Sequence, residues 1–147
     1  MKGNVAIVTG GATGLGRAVS LEFARRGVHV GFNYVQLRDR EIDAQALLTE
    51  TALRGYGIEV YSAICDVRDP AAVNAFVEAV KAELGGVHYL VNNAGISHDG
   101  ALWRMSDEAW REVLDTNVTG AFNCIRAVAP TLRKQRYGKI VNVASHQ

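Results

Sequence analysis

The chain has 147 residues, 48% of them hydrophobic and 21% charged, with a formal net charge of +1, and these values are typical of one globular domain. This composition excludes a disordered chain, a collagen and a disulfide-stabilised scaffold. The 16 Lys and Arg residues nearly balance the 15 Asp and Glu residues, which argues against non-specific binding to nucleic acid. The two cysteines, Cys65 and Cys124, form no CxxC pair and therefore predict neither a metal site nor a redox motif.

Targeting and membrane segments are not indicated by the sequence. No apolar run approaches the ~20 residues of a membrane-spanning helix. The apolar run at residues 5–8 is too short for the core of a signal peptide. We therefore expect a cytoplasmic protein without a membrane partner.

Strand and helix patterns alternate along the chain. Short apolar runs predict five strands, at residues 5–8, 28–32, 58–64, 88–91 and 140–143. Helical spacing of apolar residues predicts helices at 14–26, 40–54, 70–84 and 107–135. Pro130 is expected to kink the last helix or to end it early. The alternation predicts an α/β fold with a doubly wound parallel sheet and helices on both faces.

A glycine-rich segment, TGGATGLG at residues 9–16, lies between the first strand and the first helix. Glycine allows a sharp turn and a close approach to a pyrophosphate, and a helix N-terminus offers unpaired N–H groups to phosphates. The alternative is a turn that only packs, but the position after the first apolar strand favours a dinucleotide. No GK[ST] sequence follows, which argues against a nucleoside-triphosphate loop.

The end of the second strand bears on the type of dinucleotide. A carboxylate at this place usually binds the ribose 2′-OH of NAD. Residues 30–37 contain no Asp or Glu, and Tyr34 stands near the expected position. Arg38 and Arg40 follow and are candidates for contact with a 2′-phosphate, although such arginines are commonly solvated loop residues. This balance gives a small preference for NADP(H) over NAD(H).

Polar residues also follow the third and fourth predicted strands. Asp66 and Val67 come after the third strand, where a carboxylate can meet an adenine amino group or simply belong to the turn before the next helix. The sequence NNAG at residues 92–95 follows the fourth strand. Its asparagine amides can hold neighbouring strand ends, and its small residues leave room for a flat ligand.

These motifs occur in the order found in the short-chain dehydrogenase/reductase family, which the sequence resembles over its whole length. Asn117 within TNVTG at 116–120 and Ser145 at the end of the fifth strand complete the series. The stretch from residue 93 to residue 110 is most similar to 3-oxoacyl-ACP and acetoacetyl-CoA reductases. The resemblance implies a Rossmann-type sheet that is incomplete at five strands. It also implies one NAD(P)-binding domain over residues 1–147, the N-terminal part of a longer family domain, and a homo-oligomer.

The resemblance also implies the functional residues. Asn117 and Ser145 match the helix asparagine and the substrate-orienting serine of the family's catalytic set, whereas a plain reading makes them a backbone-bonded amide and an ordinary strand-end serine. No metal is implied, and the implied substrate is an acyl thioester or a small-molecule ketone. The candidate cofactor-binding residues are Gly10, Ala12, Thr13, Gly14, Leu15, Gly16, Tyr34, Asp66, Val67, Asn93, Ala94 and Gly95.

One departure from the family pattern concerns catalysis. The family's Tyr-x-x-x-Lys pair is absent from residues 1–147, because none of the five tyrosines has a lysine four residues later. We therefore expect the 147-residue polypeptide to be inactive in hydride transfer and marginally stable, with its fifth strand as an exposed apolar edge. Three alternatives stay open: the N-terminal part of a ketoreductase, a non-catalytic dinucleotide-binding module, and an inactive truncated fragment.

Overall fold

The computed structural model describes residues 1–36 and 41–145. Five strands alternate with helices in the predicted order, and most of their ends agree with the sequence patterns to within about two residues. The strands are β1 (Val5–Thr9), β2 (His29–Tyr34), β3 (Val60–Ile64), β4 (Tyr89–Asn92) and β5 (Lys139–Asn142). The helices are α1 (Gly14–Arg25), α2 (Ile42–Arg54), α3 (Pro70–Leu84), α4 (Asp107–Leu114) and α5 (Gly120–Gln135). The predicted start of the second helix at Arg40 lies outside the described residues.

All strand pairs are parallel, and the sheet order is β3-β2-β1-β4-β5. This arrangement confirms the predicted doubly wound α/β fold. β1 is buried on both faces: Ile7 packs in the cluster that contains α3 and α5, and Val8 packs in the cluster that contains α1 and α2. A strand covered on both sides has no polar face, which explains the unbroken apolar run in the sequence.

The chain order reverses direction across the sheet between β1 and β4. The chain builds β2 and β3 on one side of β1 and then crosses to place β4 and β5 on the other. In such sheets a crevice opens beyond the carboxyl ends of the strands at this switch point. The loops after β1 and β4 therefore face each other there.

Residues 107–135 form one helical run, as predicted, but two features differ from the sequence interpretation. Residues Asp115–Thr119 form a π-helical turn between α4 and α5, and such turns are frequent at functional sites. Of the two effects expected of Pro130, an early end of the helix is not observed, because α5 continues to Gln135. Pro130 lacks the N–H that would bond the carbonyl oxygen four residues earlier. Because Pro130 lies on an exposed side of the helix, water can bind that carbonyl oxygen instead.

Strand β5 lies at one edge of the sheet. All four of its residues are exposed, and Val141 keeps 53% of its accessible surface. The strand pairs in register with β4, Leu90 beside Ile140 and Asn92 beside Asn142. The exposed apolar edge expected from the sequence is therefore present among the described residues.

His88, the residue before β4, gives the fold a pH-dependent contact. Its Nδ1 accepts a hydrogen bond from the backbone N–H of Val5 at 2.9 Å, which requires the neutral ring. Burial lowers the pKa of His88 below its ordinary value of 6.5. The unfolded chain therefore binds the proton more readily than the folded chain does. The stabilisation is complete above about pH 6.5 and is lost as the pH falls through the folded-state pKa.

We expect the free energy of unfolding to fall between about pH 7 and about pH 5, and His88→Gln to reduce that dependence. Urea unfolding followed by circular dichroism at several pH values measures both chains. Carboxylates titrate in both, so the difference between the two slopes isolates His88. An identical slope in the variant would show that the Val5 contact does not respond to protonation.

Candidate functional site

The loop between β1 and α1 turns so tightly that a side chain has no room at its centre. Gly10 and Gly14 have φ values of 64° and 54°, in the left-handed region that favours glycine. A Cβ atom on Gly16 would lie 2.2 Å from the carbonyl oxygen of Gly10. The side chain of Thr13 makes no cap hydrogen bond to α1, so N–H groups of the first turn remain available to an anion.

A cavity of about 520 Å³ opens beside this loop at the carboxyl ends of the central strands. Its size is within the range of small-molecule and cofactor sites. Segments that follow β1, β2, β3 and β4 all contribute to its lining, together with Glu112 and Thr116 of the long helical run. The predicted cofactor residues that line it are Gly10, Thr13, Gly14, Leu15, Tyr34, Asp66, Val67, Asn93, Ala94 and Gly95.

Two predicted cofactor residues lie behind the cavity instead. Ala12 is 2% exposed, and its carbonyl oxygen accepts a 2.7 Å hydrogen bond from the buried hydroxyl of Thr49 on α2. Gly16 is buried against Gly10 and Asn93. Both residues shape the loop from its inner side and do not form part of the cavity surface.

The loops after β1 and β4 are joined by two polar side chains. The hydroxyl oxygen of Thr9 accepts hydrogen bonds from the backbone N–H groups of Asn93 and Ala94, at 3.0 and 2.9 Å. The Asn93 amide returns a bond to the carbonyl oxygen of Thr9 at 3.0 Å. The predicted role of an NNAG asparagine in holding neighbouring strand ends is therefore visible in Asn93. Thr9 supplies the other half of this joint and was missed by the sequence interpretation.

Asn33, on β2, joins the glycine-rich loop to the segment after β3. Its Oδ1 accepts a hydrogen bond from the Gly10 N–H at 3.2 Å, and its Nδ2 donates to the Cys65 carbonyl oxygen at 2.7 Å. The side chain is 2% exposed, and its bond to the Cys65 carbonyl oxygen is buried, whereas its bond to the Gly10 N–H is partly buried at the cavity. The sequence gives no indication of this role, because a single asparagine in a buried strand does not alter the apolar pattern.

We expect Asn33→Ala to lower the free energy of unfolding by about 1–3 kcal/mol, since it leaves the buried Cys65 carbonyl oxygen and the partly buried Gly10 N–H without their partner. The same change misplaces two cavity walls, so nucleotide affinity falls as well. Asn74→Ala is the matched control, because Asn74 is exposed on α3 and its loss should shift stability by less than about 0.5 kcal/mol. Chemical denaturation of the three proteins measures the effect. Equal stability of Asn33→Ala and wild type would contradict the role assigned to Asn33.

The segment after β3, which lines the cavity with Asp66 and Val67, is packed against the start of α5. The amide of Asn123 donates to the carbonyl oxygen of Val67 at 2.9 Å, and Asn123 is 3% exposed. A Cβ atom on Gly120 would lie 2.5 Å from Cγ2 of Val67. The segment of Asp66 and Val67 is therefore held from behind by close contact with the helix.

Asn117, one of the two predicted catalytic residues, lies in the π-helical turn. Its Oδ1 accepts from the Ile96 N–H at 2.8 Å, and its Nδ2 donates to the Ile96 carbonyl oxygen at 2.9 Å. The side chain thus forms a two-bond clamp on the segment that follows Gly95. The backbone hydrogen bonds of the alternative interpretation are therefore present, in an exposed rather than a buried position, and the catalytic role of Asn117 stays a prediction.

Ser145, the other predicted catalytic residue, is exposed three residues beyond β5. Neither Ser145 nor Asn117 lines the cavity. The structure therefore brings ten candidate cofactor residues together and places the two candidate catalytic residues outside the cavity lining.

Charge around the cavity is unevenly distributed. Hydrogen bonds from the side chain of Arg68 hold the pKa of the Asp66 carboxyl below its ordinary value, so this group is an anion at neutral pH. Burial, followed by the nearby carboxylates of Asp43 and Glu50, raises the pKa of Tyr34. Arg38 and Arg40, the candidate 2′-phosphate contacts, lie outside the described residues.

Neither cysteine offers a reactive thiolate. Burial raises the pKa of Cys65 to about 11 and the pKa of Cys124 to about 12. Over residues 1–36 and 41–145, no group of three or more His, Cys, Asp or Glu side chains could hold a metal ion. In the same part of the chain, no helix has the length and apolar character needed to cross a membrane.

Comparison with known proteins finds a family model and individual relatives that match nearly the whole chain. The model of the short chain dehydrogenase family matches residues 4–147. The chain is 36% identical over 140 residues to the 3-oxoacyl-[acyl-carrier-protein] reductase FabG of Staphylococcus aureus, covering 95% of this chain and 55% of that protein. It is 36% identical over 144 residues to FabG of Escherichia coli, covering 98% and 55%.

A solved structure shows the same arrangement of strands and helices. The crystal structure of NAD+-bound xylitol dehydrogenase superposes with a TM-score of 0.87 at 33% identity, covering 98% of this chain and 54% of that one. The chain thus spans about half the length of the proteins that it matches.

Proposed function

The chain belongs to the short-chain dehydrogenase family, and from this premise we propose that it forms the dinucleotide-binding domain of an NAD(P)H-dependent reductase acting on 3-oxoacyl thioesters or related ketones. The observation that carries the proposal is the cavity at the switch point of the sheet, with the glycine-rich loop on one side and Asn93–Gly95 on the other. Family membership and this cavity together indicate the cofactor. The similarity to two FabG proteins supports the substrate class.

The residues around the cavity fit a nicotinamide dinucleotide. The space left by Gly10 and Gly14 and the uncapped start of α1 suit a pyrophosphate, because backbone N–H groups there can face its oxygens. The anionic carboxylate of Asp66 can accept a hydrogen bond from the adenine amino group. Ala94 and Gly95 leave room for the flat nicotinamide ring. Bound there, a reduced nicotinamide would supply the hydride for reduction of a ketone.

Two of the chain's own residues have proposed roles here: Ser145 would position the substrate, and Asn117 holds the segment after β4 in place. The hydroxyl of Ser145 would donate a hydrogen bond to the carbonyl oxygen of the ketone, which stabilises the negative charge that develops there. The amide of Asn117 accepts one hydrogen bond from Ile96 and donates one to it. Its contribution is to keep the π-helical turn and the segment after β4 in one position.

For the cofactor we propose a small preference for NADP(H). Support comes from the lack of an acid at the end of β2, where Asn33 is turned inward to hold backbone groups. We expect a lower KM for NADPH than for NADH, and steady-state kinetics with each cofactor measures the difference. The cytoplasmic location and the homo-oligomeric state stay predictions.

An assay of acetoacetyl-CoA reduction, followed by loss of reduced-nicotinamide absorbance, tests the proposed function in the protein to which this chain belongs. We expect turnover with NADPH and a large loss in Ser145→Ala, because that change removes the donor to the carbonyl oxygen. The loss of one such donor typically lowers kcat by about 10²–10³-fold. A protein that binds the dinucleotide but reduces no 3-oxoacyl thioester would support the alternative of a non-catalytic binding module.

A further inference from the structure

Four charged and polar side chains contact one another in a row that begins at Asp66, in the cavity lining, and ends at His98. Nη2 of Arg68 lies 2.6 Å from Oδ2 of Asp66, and Nε of Arg68 lies 3.0 and 2.9 Å from Oδ1 and Oδ2. On its other side, Nη1 of Arg68 lies 4.0 Å from Oε1 of Glu112. The second oxygen of Glu112, Oε2, lies 2.8 Å from Nε2 of His98.

This row of side chains connects three segments that are distant in the sequence. Asp66 and Arg68 follow β3, Glu112 lies on α4, and His98 belongs to the segment after β4. Asp66, Arg68 and Glu112 all line the cavity. These three residues therefore form a continuous polar border of the cavity beside the proposed adenine position, and His98 contacts Glu112 from outside the lining.

These contacts contribute little to the free energy of unfolding. The side chains of Asp66 and Arg68 keep 36% and 46% of their accessible surface, and exposed ion pairs contribute about 0–1 kcal/mol. A guanidinium that binds both oxygens of a carboxylate does, however, fix the orientation of that carboxylate. Three N–H groups of Arg68, including its backbone N–H at 2.9 Å, occupy the Asp66 oxygens. A carboxylate offers about four acceptor sites, so the three N–H groups leave about one site, which the adenine amino group can take.

We propose that Arg68 is a positioning residue, which holds the Asp66 carboxylate in the orientation that receives the adenine, with Glu112 and His98 as the second anchor of its guanidinium. The inference rests on the proposed function, since it takes the occupant of the cavity to be an adenine dinucleotide. Lysine cannot replace Arg68 in this role, because an ammonium is a point charge without the planar fork. Loss of the fork leaves the carboxylate free to turn about its side-chain bonds and to be hydrated.

The test compares Arg68→Lys, Arg68→Ala and Glu112→Gln with wild type in the active protein. We expect both Arg68 variants to raise KM for NADPH and the inhibition constant of 5′-AMP by about ten-fold, a change of about 1.4 kcal/mol. The value of kcat at saturating NADPH should stay unchanged, because the reacting groups are remote from the adenine. Glu112→Gln should change both constants in the same direction by a smaller factor. Arg25→Lys is the matched control, since Arg25 pairs with Glu22 on the exposed surface of α1, away from the cavity.

Each outcome separates this inference from the proposed function. A wild type that binds neither NADPH nor 5′-AMP contradicts the proposed function, and the inference fails with it. A wild type that binds both, while Arg68→Lys binds them equally well, overturns the inference alone, because the positive charge without the fork would then suffice. A fall in kcat or in the unfolding midpoint that parallels the rise in KM would also overturn it, since that pattern indicates a merely structural role.

Discussion

Gly16→Ala is expected to produce the largest loss of stability and of nucleotide binding among substitutions in the glycine-rich loop. The added Cβ atom would lie 2.2 Å from the carbonyl oxygen of Gly10 and 2.6 Å from Nδ2 of Asn93. One of these neighbours is backbone, and the other is held by the carbonyl oxygen of Thr9. Neither can move without opening the joint between the loops after β1 and β4.

The expected size of the effect is about 3 kcal/mol in the free energy of unfolding, together with loss of measurable dinucleotide binding. Gly14→Ala is the matched control from the same loop. A Cβ atom on Gly14 meets nothing within 4 Å, although its φ is +54°, so only the strain of the left-handed conformation applies, about 1–2 kcal/mol. Chemical denaturation and a binding titration measure both variants. If Gly16→Ala were no more destabilising than Gly14→Ala, the close contact with Gly10 would not constrain the loop.

The second large effect concerns the polypeptide of residues 1–147 taken by itself. We expect this polypeptide to bind NADPH and to show no measurable oxidation of it in the presence of acetoacetyl-CoA. It contains Ser145 and Asn117, but none of its tyrosines has a lysine four residues later. Proton transfer by a positioned acid is worth about 10²–10⁴-fold in rate, and no described side chain in the cavity lining replaces that acid.

The control for this experiment is the folded state of the same preparation. Circular dichroism and a cooperative unfolding transition must be present, because strand β5 is fully exposed at the sheet edge and such edges promote aggregation. Sustained turnover by pure, folded 1–147 polypeptide would contradict the prediction. It would also require a proton donor among residues to which we assign no such role.

The sequence was sufficient to predict the fold and the grouping of most candidate cofactor residues around one cavity, and the reason is local. The unbroken apolar run of β1 and the glycines after it are short-range patterns, and both are confirmed by the structure. Asp69, interpreted as a helix cap, accepts hydrogen bonds from the N–H groups of Ala71 and Ala72. Features of this kind depend on neighbours within a few residues.

The parts that could not be predicted depend on contacts between residues far apart in the chain. Asn33 binds the backbone of Cys65 across 32 positions, and Asn123 binds the backbone of Val67 across 56. A buried amide has the same sequence appearance whether it organises a site or caps a loop. The contact of His98 with Glu112 similarly needs α4 to lie against the segment after β4. The continuation of α5 past Pro130 could not be predicted for a related reason, because the tolerance of a proline depends on which side of the helix faces water.

Direct titration of the protein with NADPH, with displacement by 5′-AMP, tests the central claim that the switch-point cavity binds a nicotinamide dinucleotide. We expect saturable binding of one NADPH per chain, displacement by 5′-AMP, and loss of binding in Gly16→Ala under conditions where that variant remains folded. A folded wild type that binds neither NADPH nor NADH would contradict the account, since the cavity would then have another occupant or none.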